Sequence, residues 1–354
     1  MSGNSATRLQ FIDSLRLLAA VLVLAQHLFE RHREIAVFDG FVGLGPGLIG
    51  VIIFFLVSGY VVPMSVREPF DLRTFMVRRI FRIYPLLLAA FALLLVLGAS
   101  GVLTNWRFMA SAGPLQWAAN LALLQDYIGV QPFLGVAWTL MIEFVWYVLF
   151  ALAYRRFGDR AGVILAIILP VMLAGLAVAS VVSGIRLPLG RFAMVYACVL
   201  GYLAYLHDRK VITTRMLVIS MAGFLVVNLG SSVVAFGWFH HANVSLGQVL
   251  WTWPLGLLAF FGVVLWPRLR AVRMLNCGLV PAVGAASYSI YLLHPLGMAA
   301  GEQYGRGTVA EIGIAVAVTA VLAAIGYRYV ELSGIALGRK VAGRLDRART
   351  VRGV

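Results

Sequence analysis

The sequence predicts an all-α, polytopic membrane protein with about ten transmembrane helices and both termini in the cytoplasm. Of its 354 residues, 62% are hydrophobic and only 12% are charged, and the mean hydropathy is +0.92. A soluble domain is about 45–50% apolar and about 25% charged. The composition therefore excludes a soluble globular enzyme, a disordered chain, a fibre and a disulfide scaffold, and it favours a membrane protein.

Several runs of about 20 mostly apolar residues are long enough to cross a bilayer as helices. The predicted spans are residues 11–29, 46–64, 81–98, 136–154, 162–182, 190–206, 215–235, 246–265, 281–300 and 309–330. A shorter run, residues 110–124, is interrupted by Gly113 and Pro114, which predicts a re-entrant or interfacial helix. The first run also resembles a signal peptide, but a chain made of spans needs no cleaved signal for insertion.

The basic residues are distributed unevenly between the predicted loops. The net charge is +15, from 29 Lys and Arg against 14 Asp and Glu. Assigning alternate loops to opposite sides places 22 of the 29 cations on the side of the termini, six on the other side and Arg16 inside a span. The positive-inside rule makes the first side cytoplasmic. Topology and membrane lipid therefore explain the charge, and no nucleic acid partner is needed.

The first predicted span contains two ionisable residues, Arg16 and His27. Such residues cost a few kcal/mol in a bilayer and are functional candidates. They are 11 residues apart, so they share a helix face, about 16 Å apart along the axis. Asp13 precedes Arg16 by three residues and can pair with it. The alternative is that Arg16 snorkels inward and His27 lies among lipid headgroups.

Three further ionisable residues lie in or at the ends of spans. Glu143 lies among apolar neighbours, so it must pair with a cation or take up a proton. Glu331 ends the last predicted span and is interpreted as an ordinary helix-end charge. His294 is interpreted as a buried histidine that bonds a nearby hydroxyl or carbonyl. The adjacent His240 and His241 do not share a helix face and have no third ligand within reach, so no metal site is predicted.

Arg78, Arg79 and Arg82 form a cluster at the start of the third predicted span, followed by Tyr84 and Pro85. Arg78 and Arg82 share a helix face, and Arg79 lies beside Arg82. Guanidinium groups bind phosphate through paired hydrogen bonds, so the cluster predicts a phosphate site. Lipid phosphate, bound by any basic loop beside a membrane, is the alternative ligand.

Ser58 and Gly59 form a small-residue pair inside the second predicted span. Such a pair commonly allows close packing of two helices. It can also mark a weak point where the backbone faces a cavity.

These segments resemble those of the acyltransferase-3 family, and they occur in the family's order along nearly the whole chain. They are residues 12–16 with His27, 54–60, 78–85, 138–147, 287–295 and 329–331. The family consists of integral membrane proteins that O-acylate sugars and other acceptors on the far side of a membrane. The resemblance implies one membrane domain over residues 1–335 and a basic cytoplasmic tail over residues 336–354, without the esterase-like extracellular domain of some relatives. Phe144 follows Glu143 where some relatives have a second acidic residue.

The resemblance also implies a reaction. A protein of the bacterial inner membrane would transfer an acyl group, expected to be acetyl, from cytosolic acyl-CoA (acetyl-CoA) to a hydroxyl of a carbohydrate or glycolipid at the outer side. Arg78, Arg79 and Arg82 would bind the donor at its cytoplasmic entrance, together with Ser58 and Tyr84. No metal cofactor is expected.

The catalytic residues that the resemblance implies are His27, Arg16 and Glu143. His27 would be the general base for the acceptor hydroxyl or would take the acyl group itself. Arg16 would lie deeper in the membrane than the arginine cluster. Glu143 would orient His27 or balance the charge of His27 or Arg16. Ser58 is a less favoured acyl carrier.

Two other classes of protein also place charges in spans. A proton-coupled transporter of a small polar solute predicts paired broken helices in two matching halves, and only one interrupted stretch is found, around Gly113 and Pro114. A lipid-dependent scaffold without chemistry would leave Arg16, His27 and Glu143 unexplained.

Overall fold

All regular secondary structure that the computed structural model describes is helical, which confirms the predicted all-α class. The described residues are 9–239 and 244–351, without the side chains of residues 348–351, so His240 and His241 lie outside them. The long helices are α1 (Gln10–Glu30), α2 (Pro46–Met64), α3 (Leu72–Ala99), α4 (Trp138–Phe157), α5 (Ala161–Ser183), α6 (Leu189–Asp208), α7 (Thr214–Ser232), α8 (Leu246–Leu265), α9 (Ser287–Tyr304), α10 (Thr308–Ile325) and α11 (Leu332–Val351).

Eight helical stretches of the described chain are long and apolar enough to span a membrane. One of them, Gly135–Ser183, contains two predicted spans, residues 136–154 and 162–182. The predicted span at residues 281–300 is not among the eight, and it is divided into a short helix, Leu279–Gly284, and α9. The chain is a multi-pass membrane protein, whereas the total of about ten spans and the side of each terminus stay predictions.

The helices form two compact units, each built from two separate parts of the chain. The first unit is Met1–Val66 with Arg156–Ser287, and the second is Arg67–Arg155 with Tyr288–Val354. The first therefore contains α1, α2 and α5–α8, and the second contains α3, α4 and α9–α11.

Helix α2 is the packing centre of the first unit and contacts α1, α6 and α8. A Cβ atom on Gly59 would collide with the carbonyl oxygen of Cys198 in α6, and one on Gly201 of α6 would collide with the carbonyl oxygen of Leu56. The two backbones therefore touch at a reciprocal pair of glycines, as small residues allow in membrane helices. This contact confirms the packing interpretation of the Ser58–Gly59 pair.

Gly59→Ala is expected to destabilise the first unit by about 1–3 kcal/mol, because the added methyl group must push α2 away from α6. The measurement is the thermal unfolding of purified protein in detergent. Gly223→Ala in α7 is the matched control, since a Cβ there meets no atom within 4 Å. Equal unfolding temperatures for the two variants would contradict the close contact.

Helix α3 organises the second unit and starts earlier than predicted. Asp71 caps it by accepting the backbone N–H of Thr74 at 2.8 Å, and the helix continues through Pro85. The predicted span started at residue 81, with the arginine cluster at the start of its helix. The structure places the helix start at Leu72, so all three arginines lie well inside a helix of 28 residues.

Helix α11 lies along α3 and is joined to α10 by a π-helical segment, Gly326–Glu331. Gly334 of α11 packs against Phe81 and Pro85, and Gly338 packs against Phe81. The described part of the predicted basic tail is therefore a helix that follows the arginine-bearing side of α3.

The connection between α3 and α4 descends along α3. Gly98, near the end of α3, lies against the backbone carbonyl of Trp106, whereas Tyr84 donates its hydroxyl to the carbonyl of Leu121 at 3.0 Å. The 14 residues between Tyr84 and Gly98 correspond to about 21 Å of helix axis. The connection that contains the short helix Pro114–Leu121 thus packs along α3, and its assignment as a re-entrant or interfacial helix stays a prediction.

Candidate functional site

His27, near the C-terminal end of α1, is paired with a carboxylate of the same helix. Its Nδ1 lies 3.0 Å from Oε2 of Glu30, three residues later, and both side chains are partly exposed, at 38% and 41%. With the proton on Nδ1, the imidazole presents its Nε2 lone pair away from the carboxylate. A carboxylate that orients histidine in this way is the arrangement used by hydrolase triads for general-base catalysis.

Glu30 is itself held by a second residue of α1. Gln26 donates its Nε2 to the Oε1 atom of Glu30 at 2.5 Å, and its own Oε1 accepts the backbone N–H of Gly47 at 3.3 Å. Both carboxylate oxygens are therefore engaged, and the group is fastened to the start of α2. Sequence reasoning missed Glu30, although the spacing of three residues from His27 indicates a contact on a helix.

Arg16 pairs with Asp13 in the same helix, as predicted. Its Nη1 lies 3.5 Å from Asp13 Oδ1, and the two side chains are 18% and 7% exposed. The start of α1 is fixed nearby, because Ser14 donates its hydroxyl to the carbonyl of Leu275 at 2.9 Å. A largely buried guanidinium thus has a compensating charge beside it.

A third polar cluster of the first unit was missed from the sequence. Asp208 accepts a hydrogen bond from the Tyr60 hydroxyl and another from Arg270 Nη1 at 2.9 Å. The Arg270 guanidinium also lies 4.4 Å from the ring centre of Phe11. The cluster joins α1, α2 and α6 through contacts that no local sequence spacing indicates.

In the second unit, Arg82 lies beside the buried carboxylate of Glu331. The Arg82 Nη1 and Glu331 Oε1 atoms are 4.0 Å apart, and Ser289 donates its hydroxyl to Glu331 Oε2 at 2.8 Å. Glu331 is only 1% exposed. The interpretation of Glu331 as an ordinary helix-end charge is therefore wrong, because α11 continues the chain and its packing on α3 buries the carboxylate.

Arg79 is buried among aromatic rings. Its guanidinium carbon lies 5.1 Å from the ring centres of both Phe75 and Tyr147, at cation–π distance. Tyr147 donates its hydroxyl to Glu143, and Glu143 interacts electrostatically with Arg79 and Arg82. Glu143 thus has cations near it, as predicted, but they are those of the arginine cluster.

Arg78 faces the C-terminal helix. Its Nη2 lies 3.5 Å from Asp346 Oδ2, and the Thr74 hydroxyl donates to Asp346 Oδ1 at 2.8 Å. The Arg78 side chain is 20% exposed and that of Asp346 is 47% exposed. Arg82, whose carboxylate partner Glu331 belongs to the π-helical segment before α11, is slightly more exposed than Arg78, at 27%.

The surroundings of the remaining predicted residues, Tyr84, Ser58 and His294, are as follows. Tyr84 packs edge-on against Phe144 at 5.5 Å between ring centres, in addition to its bond to Leu121. The Ser58 hydroxyl is buried, with no hydrogen-bond partner in the part of the chain that the structure describes. His294 is 1% exposed and its Nδ1 lies 2.7 Å from the Tyr291 carbonyl, which confirms the predicted buried histidine.

The predicted site residues divide between the two units. Arg16, His27 and Ser58 belong to the first, whereas the three arginines, Tyr84 and Glu143 belong to the second. Glu143 was predicted to orient His27 or to balance the charge of His27 or Arg16. In the structure, each of these residues has a carboxylate partner in its own helix, Glu30 for His27 and Asp13 for Arg16. Among residues 9–239 and 244–351, no three His, Cys, Asp or Glu side chains are grouped to hold a metal ion.

Helices that span a membrane and carry an oriented histidine and paired arginines define a polytopic membrane protein with a polar site in each unit. Comparison with known proteins identifies its family. The profile of the acyltransferase-3 family, described as an acyltransferase domain, matches residues 9–328. The chain belongs to this family, which confirms the resemblance.

A curated relative supports this assignment. The chain is 30% identical over 161 residues to the acyltransferase MdmB of Streptomyces mycarofaciens. The aligned region covers 42% of this chain and 40% of that protein, so it spans less than half of the relative's length. No solved structure matches the chain.

Glu30→Gln is expected to lower the turnover of acyl transfer by about 10- to 100-fold with little change in the donor KM. The amide still occupies the position beside Nδ1, but it lacks the charge that stabilises a protonated imidazole. The measurement is steady-state transfer at varied donor concentration. Asp39→Asn is the control, because Asp39 accepts a bond from Arg33 on the same side of the first unit. A raised donor KM with unchanged turnover would contradict this role.

Proposed function

We propose that this enzyme is a membrane O-acyltransferase that moves an acyl group, acetyl in the simplest case, from cytosolic acyl-CoA to a hydroxyl of a carbohydrate or glycolipid. The acceptor would be modified at the outer side of a bacterial inner membrane. The observation that carries the proposal is the His27–Glu30 pair, 3.0 Å apart, in a member of an acyltransferase family. Such a pair suits the activation of a hydroxyl, which is not acidic enough to react at neutral pH without a base.

The proposed donor site is the arginine cluster of α3. Acyl-CoA carries several phosphate groups, and Arg78 and Arg82 are one turn apart on the same helix face. Each is held by one carboxylate, Asp346 or Glu331. A guanidinium has five N–H donors, so one carboxylate leaves capacity for a phosphate. Arg79, buried between two rings, is proposed to shape this site and to balance the charge of Glu143.

The proposed chemical step is a direct acyl transfer. The acceptor hydroxyl oxygen attacks the thioester carbonyl carbon, so that a C–O bond forms while the C–S bond breaks. Nε2 of His27 takes the hydroxyl proton and returns it to the departing sulfur, which leaves as the CoA thiol. In the second form of the step, Nε2 attacks the thioester carbonyl carbon, the C–S bond breaks, and the sulfur takes the imidazole proton and leaves as the CoA thiol. The acceptor hydroxyl oxygen then attacks the acyl-imidazole, the C–N bond breaks, and the hydroxyl proton returns to the imidazole.

The test is the transfer of label from acetyl-CoA in inverted membrane vesicles, which expose the cytoplasmic face. We expect labelled glycolipid or saccharide with the native protein, and a raised acetyl-CoA KM with Arg82→Ala. Arg155→Ala is the matched control, because Arg155 is an exposed cation of the same unit. If the native protein yields neither a labelled product nor acetyl-CoA hydrolysis, the proposal fails and solute transport becomes the better explanation.

A further inference from the structure

The connection between α3 and α4 in the second unit contains a buried side-chain amide that the fold does not use. Gln125 is 1% exposed, yet neither its Oε1 nor its Nε2 has a hydrogen-bond partner in the described part of the chain. An amide removed from water without partners costs free energy, because its hydrogen bonds to water are lost and not replaced. A buried polar group of this kind needs an explanation in ligand binding or in structure.

A structural explanation is available for the neighbouring amide and not for Gln125. Asn120 is also 1% exposed, and its Nδ2 donates to the carbonyls of Gln116 and Gln131 at 2.9 and 3.2 Å. Its Oδ1 accepts the backbone N–H of Phe133 at 2.7 Å. Asn120 thus fastens the short helix Pro114–Leu121 to the segment before α4. Two buried amides five residues apart therefore differ completely in how the fold satisfies them.

Gln125 follows a tight and strained turn. The chain ends the short helix with bonds from Leu124 N to Ala119 O at 2.8 Å and from Leu123 N to Asn120 O at 3.2 Å. This places Leu123 in the left-handed region, at φ 60°, where glycine is the usual residue. Leu123 is 2% exposed, so its buried side chain fixes the turn in this shape. Strain kept in this way is common where a segment must present a group for binding.

The turn lies beside residues that the proposed reaction uses. The Leu121 carbonyl accepts the Tyr84 hydroxyl from α3, two residues after Arg82. The Tyr84 ring packs on Phe144, the neighbour of Glu143 in α4. The turn is therefore attached to the same stretch of α3 that carries the arginine cluster.

We propose that the side chain of Gln125 binds a neutral substrate group that both donates and accepts hydrogen bonds, a hydroxyl or an amide. An amide side chain matches such a group, because its carbonyl accepts and its NH₂ donates. The group has two sources under the proposed function, on which this inference rests. They are the acceptor's hydroxyls and the amides in the arm of acyl-CoA.

The experiment compares Gln125→Met, which keeps the length of the side chain and removes its polarity, with Asn120→Leu. Purified proteins are tested for thermal unfolding and for hydrolysis of acetyl-CoA without acceptor, and native membranes that contain each variant are tested for transfer to glycolipid. We expect Gln125→Met to unfold at the native temperature or above, because an unpartnered amide is removed. We expect its transfer efficiency to fall by about 10- to 100-fold. Asn120→Leu is expected to lower the unfolding temperature.

The measurement of acetyl-CoA hydrolysis identifies which substrate supplies the bound group. A raised acetyl-CoA KM in hydrolysis identifies a donor amide, and unchanged hydrolysis with impaired transfer identifies an acceptor hydroxyl. Full transfer by Gln125→Met, or a loss of stability equal to that of Asn120→Leu, overturns the inference. An inactive native protein would instead overturn the proposed function, so the two failures are distinguishable.

Discussion

Replacing His27 by alanine is expected to reduce acyl transfer by about 10²- to 10⁴-fold, the usual contribution of a general base. A carboxylate orients the imidazole, because Nδ1 of His27 lies 3.0 Å from Oε2 of Glu30. Without it, a hydroxyl must lose its proton to water while it attacks the thioester. Folding should be little affected, because His27 is partly exposed and its contact with Glu30 lies within the same helix.

The measurement is the rate of labelled acetyl transfer in inverted vesicles at equal protein content. His207→Ala is the matched control, since His207 lies in the same unit and its Nε2 is 3.0 Å from the Thr214 hydroxyl. Retention of full transfer by His27→Ala would remove the residue from the mechanism. A comparable loss in His207→Ala would show that the effect is structural.

The same variants separate the two forms of the chemical step. If His27 carries the acyl group, native protein incubated with labelled acetyl-CoA and no acceptor retains label on an acyl-imidazole, and His27→Ala retains none. If His27 acts only as a base, neither protein retains label on this residue. The choice affects Glu30 as well, because a carboxylate that stabilises imidazolium assists a base more directly than a nucleophile.

Local spacing explains which parts of the site were predictable from the sequence. The Arg16–Asp13 pair lies within one helix turn, and helix geometry alone predicts it. The shared face of Arg16 and His27 follows in the same way. His27 and Glu30 are also three residues apart, so the sequence could have predicted this pair. The carboxylate partner of His27 was instead predicted to be Glu143, more than 100 residues away.

The contacts of Glu331 were not predictable, because they depend on how distant helices pack. Glu331 lies at the end of an apolar run in the sequence, a position that is typical of a surface charge. Its burial follows from the π-helical segment and from α11 packing on α3, and its partners Arg82 and Ser289 are far from it in sequence. The start of α3 was predicted too late for a related reason. Arginines lower the hydropathy of a segment, and the carboxylates and aromatic rings that compensate their charge come from distant parts of the chain.

Glu331→Leu is expected to destabilise the second unit by about 3 kcal/mol, near the lower end of the range for breaking a buried ion pair. The carboxylate is 1% exposed, and its removal leaves Arg82 without this neighbour and Ser289 without its acceptor. Arg82 is 27% exposed, so water compensates part of its charge. The measurement is the unfolding of purified protein in detergent, together with the acetyl-CoA KM.

The double variant Arg82→Met with Glu331→Leu separates stability from donor binding. Replacing both members of a buried pair by apolar residues of similar size is often neutral or stabilising, so we expect the unfolding temperature to recover. Transfer should not recover, because the proposed phosphate ligand is lost. The pair Arg78–Asp346, whose carboxylate is 47% exposed, is the comparison, and Asp346→Leu should cost no more than about 1 kcal/mol.

Two results would contradict this account of the arginine cluster. A Glu331→Leu protein as stable as the native one would mean that the carboxylate contributes nothing to the packing of α11 on α3. A double variant that transfers acetyl at the native rate would mean that Arg82 is held for structure alone. In that case Arg78, whose partner Asp346 is half-exposed and exchangeable for a phosphate, would be the cation of α3 to test as the donor ligand.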